Sequence, residues 1–146
     1  MKREYENIYN CGGYALGTKD WFIPYDVKNN GLKSNFNKND LAELTNFMQD
    51  IFTNVRLVRT PKDALRGERL IAFRLAENDF HFVKVNKRNN TFMHKMGWLR
   101  IEEMPKEEFY NTMGWGCRYN SEIKYFAIKG KVAIYKDGFK EICTVG

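Results

Sequence analysis

Residues 69–97 constrain the architecture most. They hold three runs rich in β-branched and aromatic residues, RLIAFRLA, FHFVKVN and TFMHKMG, parted only by END and KRNN. Apolar runs of this length, separated by so few turn-forming residues, predict consecutive antiparallel strands joined by hairpins. VRLVRT before them and EIKYFAIKGKVAIYKDGFKEICTV after them are also strand-like. KDGF carries the Asp-Gly pair of a tight type I′ hairpin.

Helical signals precede the strands. Leu41, Leu44, Met48, Ile51, Phe52 and Val55 recur at helical spacing and predict one buried stripe. Asp40 is placed as its N-cap, with Glu43 completing a capping box. CGGYAL predicts a short helix that opens near Cys11 and stops at Gly17. VKNNGLKSNFNKND, between the two helices, is polar and reads as a surface loop. Thr60 and Pro61 predict a single helical turn, and MPKEEFYNTM a short helix. The order predicts an α+β fold, with N-terminal helices packed on one side of a mostly antiparallel, curled sheet. No repeat, linker or low-complexity block divides the chain, so residues 1–146 are expected to form a single domain.

Composition narrows the function classes. Hydrophobic residues make up 43% and charged residues 29%, as in ordinary globular proteins, and the 15% aromatic content argues against disorder. No apolar run approaches the roughly 20 residues of a membrane span, so no membrane partner is expected. MKREYENIYN lacks the apolar core of a signal peptide, and a cytoplasmic location is expected. Cys11, Cys117 and Cys143 are widely spaced with no CxxC pair, which argues against a zinc site or a disulfide framework. No metal or cofactor is expected. The net charge of +6 comes from scattered Lys and Arg, so nucleic acid is a minority expectation.

The sequence contains two histidines, His81 and His94. If KRNN is a four-residue loop, Asn86 faces Thr91, Val85 faces Phe92, Lys84 faces Met93 and Val83 faces His94. His81, Val83, Val85, Phe92, His94 and Met96 then share the face that wants burial. A loop one residue shorter or longer would separate the histidines.

Cys11 opens the first helix. Free N–H groups and the helix dipole favour a thiolate there, and a nearby imidazolium would favour it further. Gly12 and Gly13 clear side chains from beside the sulfur, and the N–H of Cys11 is a natural oxyanion donor. Cys117, in a loop, and Cys143, in an alternating terminal strand, carry no such signal.

NCGGYAL, DFHFVKV and FMHKMG together resemble the papain-like NlpC/P60 superfamily of cysteine hydrolases, most closely its small phage- and bacterium-encoded members. The resemblance implies a cysteine at the start of a helix packed on a five- or six-stranded sheet. It implies that Cys11 is the nucleophile, His81 the base and His94 the residue that orients it. Tyr5 and Gly12 join Cys11 as oxyanion candidates. Asn10 and Gly12 depart from the Asp and Ser that many members carry.

Three readings follow. The first is a cysteine peptidase, amidase or acyl transferase acting on a peptide, isopeptide, peptidoglycan-like amide or thioester carbonyl. The second is a non-catalytic phage or mobile-element protein that uses the same scaffold to grip a host protein. The third is a nucleic-acid module that stacks bases on Trp98, Trp115 and Tyr119.

Overall fold

The computed structural model describes residues 10–17, 35–52, 54–96, 99–130 and 132. They form an α+β fold around one six-stranded antiparallel sheet. The strands are β1 (Val55–Val58), β2 (Glu68–Ala76), β3 (Asp79–Asn86), β4 (Thr91–Lys95), β5 (Ile101–Glu103) and β6 (Lys124–Lys129). The helices are α1 (Cys11–Leu16), α2 (Leu41–Ile51) and α3 (Lys106–Phe109). The sheet order is β1-β6-β2-β3-β4-β5, so the late strand β6 enters between β1 and β2. KDGF and Cys143, farther along the tail, lie outside the described residues.

Both hairpins take the expected connections. Between β2 and β3 the turn has Asn78 in the left-handed region, at φ 56°, a conformation asparagine tolerates. Asn78 also holds the segment before α2. Its N–H donates to the Phe36 carbonyl at 2.7 Å, and its side-chain oxygen accepts the Phe36 N–H at 2.9 Å. Phe36 is buried although its neighbours in the polar loop are exposed. Between β3 and β4 the loop has four residues, and the pairs are Asn86–Thr91, Val85–Phe92, Lys84–Met93 and Val83–His94.

The helical signals need two corrections. Asp40 forms no side-chain cap on α2. It closes the preceding 3-10 turn: Asp40 Oδ2 accepts the Asn37 N–H at 2.9 Å, and Asn37 Oδ1 accepts the Asn39 N–H at 2.8 Å. The capping box is therefore Asn37–Asp40, one turn earlier than expected. The apolar stripe is buried as predicted, but the helix ends at Ile51, and Val55 opens β1. Extended Phe52 marks the change.

Strand alternation divides the core into two layers. On one face Ile71, Phe73, Leu75, Phe80, Phe82 and Phe126 pack against α1 and α2. Phe73 and Phe126 stack at 5.3 Å between centroids. On the other face Leu70, Ala72, Val83, Phe92 and Tyr125 pack against Met104, Phe109, Trp115 and Tyr119. The expected single-sided arrangement is thus incomplete, because residues 104–119 cover the second face. That explains why β2 reads as nearly continuous apolar sequence rather than alternating. Its one buried cation, Arg74, donates to the Ser121 carbonyl at 2.8 Å and the Asn111 carbonyl at 2.9 Å. The guanidinium also lies 5.6 Å from the centre of the Trp115 ring.

Gly114 makes this cover tight. It sits at φ +97°, and a Cβ there would lie 2.6 Å from the Tyr119 carbonyl oxygen. Gly114→Ala is expected to destabilise the fold by about 1–3 kcal/mol and to loosen the Trp115–Tyr119 bridge. Urea unfolding with tryptophan fluorescence checks both.

Candidate active site

Local hydrogen bonds fix the helix that carries Cys11. Asn10 is its N-cap, with Oδ1 accepting the Gly13 N–H at 3.0 Å. Gly17 ends it at φ 78°, a left-handed position that glycine takes without penalty. Arg69, from β2, donates to the carbonyls of Ala15 at 3.1 Å and Leu16 at 2.9 Å. The helix therefore docks on the sheet by its C-terminal end, and its apolar side lies over β3 and β4.

His81 and His94 meet. His81 Nε2 lies 2.8 Å from His94 Nδ1, with the rings nearly perpendicular at 81°. One nitrogen donates and the other accepts, so the pair shares a single proton across the contact. His81 is 2% exposed. It lies against Tyr119 at 5.3 Å and meets the edge of Trp115 at 5.9 Å. Burial, with a smaller contribution from His94, pulls the His81 pKa down to about 3. Burial also lowers His94, opposed by the carboxylates of Glu108 and Glu102. Both imidazoles are neutral at neutral pH. A cavity of about 120 Å³ opens beside them, lined by Met96, Glu108, Trp115 and Tyr119.

Cys11 occupies the helix-side layer, 5% exposed, in the cluster that includes Phe80 and Phe82. His81 lies between these two phenylalanines in sequence, so its side chain leaves the other face of β3. No hydrogen bond joins the sulfur to either imidazole among the described residues. Burial pushes the Cys11 thiol up to about 12, and the Asp79 carboxylate adds to this. The N–H groups of Phe82 and Gly12 and the Lys95 ammonium act the other way. This corrects the expectation of a preformed thiolate: desolvation outweighs the helix start, and the resting group is a neutral thiol. Gly12 is itself buried. Tyr5, the other oxyanion candidate, lies outside the described residues.

Trp115 and Tyr119 are 1% and 6% exposed. They wall the histidine pair and do not offer faces for base stacking; Trp98 lies outside the described residues. Cys117 is an exposed loop thiol. Asp79 is a residue that sequence reasoning missed. It accepts a hydrogen bond from Tyr119 Oη at 2.9 Å and pairs with Arg118 at 3.0 Å. By sequence Asp79 belongs to the END turn, whereas β3 begins at Asp79; two residues before His81 on that strand, it shares the His81 face. No cluster of three His, Cys, Asp or Glu that could hold a metal occurs among the described residues. No protein-family model, curated protein or solved structure matches the chain.

The buried pair sets a pH dependence. An unfolded imidazole takes up its proton near 6.5, whereas folded His81 stays neutral down to about 3. Between those values the unfolded chain binds more protons, so stability falls as the pH is lowered. Thermal melts from pH 7 to pH 5 are expected to show this loss, at most about 1.4 kcal/mol per pH unit for each imidazole. His81→Asn is expected to flatten the slope, whatever it does to stability at pH 7.

Proposed function

We propose that the chain is a cysteine hydrolase of the papain-like NlpC/P60 type, with Cys11 as nucleophile, His81 as base and His94 as the residue that orients His81. The observation that carries this reading is the 2.8 Å contact between His81 Nε2 and His94 Nδ1, on the strands against which the Cys11 helix docks. The finer fold assignment belongs to the same reading: a cysteine opens a helix laid on an antiparallel sheet, and the histidines follow on two adjacent strands.

On this reading His81 Nε2–H is the donor to His94 Nδ1, which leaves Nδ1 of His81 to take a proton. Because the thiol is neutral at rest, proton transfer accompanies attack rather than preceding it. The sulfur bonds to the carbonyl carbon of an amide or thioester as its proton passes to Nδ1, and the carbonyl electron pair moves onto oxygen. Collapse of the adduct breaks the bond to the leaving group, which departs with the proton from His81. Water, deprotonated by the same nitrogen, then releases the acyl group; a second amine in place of water gives acyl transfer. Because Cys11 lies in the helix-side layer and the His81 side chain leaves the other face of β3, the reading requires the start of α1 to shift against β3 on substrate binding and bring the sulfur within reach of Nδ1. The substrate class is a peptide, isopeptide or peptidoglycan-like amide, or a thioester.

The second reading, a scaffold that binds a host protein without catalysis, is favoured by one observation: Cys11 is 5% exposed and its thiol is pushed up to about 12. Burial of Trp115 and Tyr119 weighs against the nucleic-acid reading.

Acylation by a p-nitrophenyl ester, followed by intact mass and peptide mapping, tests the catalytic reading. An acyl group on Cys11, lost in Cys11→Ala, slowed about 10²–10⁴-fold in His81→Ala and unchanged in Cys117→Ser, is the expected outcome. Acylation confined to Cys117, or indifferent to His81, would favour the binding scaffold.

A further inference from the structure

At the other end of β3 the sheet carries a basic groove. It has a volume of about 520 Å³ and lies between residues 65–67 and the 87–90 turn. Lys87 Nζ donates to the Ala64 carbonyl at 3.0 Å and ties the two walls together. Leu65 stands at the rim with 64% exposure and half-buried Met93 lines the groove, whereas Leu70 and Val85 are buried in the core beneath it. Arg66, Lys87 and Arg88 are exposed along it, and Arg69 and Lys84 contribute further positive charge. Among the described residues Glu68 is the one carboxylate in the lining. Arg56, from outside the groove, holds it through two bonds of 2.9 and 2.7 Å and lowers its pKa to about 2. The local field is therefore positive beside an exposed apolar rim.

We propose that this groove docks an acidic peptide segment whose carboxylates meet Arg66, Lys87 and Arg88 and whose apolar side chains rest on Leu65 and Met93. Charge complementarity selects the acidic partner. The exposed Leu65 and the Met93 beside it favour a peptide over a nucleic acid, and among the described residues no aromatic side chain lines the groove to stack a base. Val85 is four residues from His81, about 13 Å along an extended strand. The groove is thus separate from the candidate active site and stands whether or not Cys11 is catalytic.

Fluorescence anisotropy of the full chain with a short labelled peptide of alternating glutamate and leucine tests this. Binding that weakens with added salt is expected. The exposed double reversal Arg66→Glu/Arg88→Glu should lower affinity about tenfold or more, and Leu65→Ser should also weaken it. Lys38→Glu/Lys106→Glu, the same charge change elsewhere on the surface, should leave it within about twofold. An all-glutamate peptide binding equally well would overturn the apolar half of the proposal. Equal loss in the control reversal, no binding of the alternating peptide, or preferred binding of single-stranded DNA would overturn the whole.

Discussion

Four residues between β3 and β4 decide where the chemistry of this chain can lie. The 87–90 loop sets Val83 opposite His94 and leaves two imidazoles 2.8 Å apart on one face of the sheet. A change of register by one residue would send His94 to the helix-side layer. The contact then depends on a dry environment, which residues 104–119 provide by laying Trp115 and Tyr119 over His81. That cover is anchored in turn by the buried Arg74, which spends its donors on carbonyls of the covering segment. Register, cover and buried cation form one linked arrangement.

Low polarity at both key groups has a chemical consequence. Desolvation disfavours the thiolate of Cys11 and the imidazolium of His81 together. An ion pair formed in advance would need both charged forms in poorly solvated surroundings, and the two groups rest in different layers of the core. On the proposed reading, a neutral pair that transfers its proton during attack would avoid that cost and would place the burden on substrate binding to align sulfur and nitrogen. The proposed role of His81 needs Nε2–H to donate to His94, which holds the tautomer with Nδ1 unprotonated.

Much of this was legible in the sequence. Even spacing about KRNN gave the register, and the apolar face of FHFVKV showed that His81 points inward. Asn10, Cys11 and Gly17 marked α1 at both ends. The capping box came one turn early because Asn37 and Asp40 close a 3-10 turn before α2 begins, a competition that spacing alone does not resolve. β5 has three residues, two of them charged, and pairs only with β4; an edge strand so short carries no periodicity. The second cover was hidden for a different reason. Phe109, Trp115 and Tyr119 have no common period, and Trp115 and Tyr119 meet His81 through turns at Gly114 and Gly116 with positive φ. The raised thiol was missed because counting free N–H groups at a helix start omits the cost of burial.

The histidine pair can be observed directly by long-range ¹H–¹⁵N correlation of the imidazole rings across pH. The account requires His81 to remain neutral at pH 5, with one ring nitrogen protonated and its shifts tied to those of His94. An imidazole at position 81 that titrates near pH 6.5, independently of His94, would mean that the pair is neither buried nor joined, and the proposed site would lose its base.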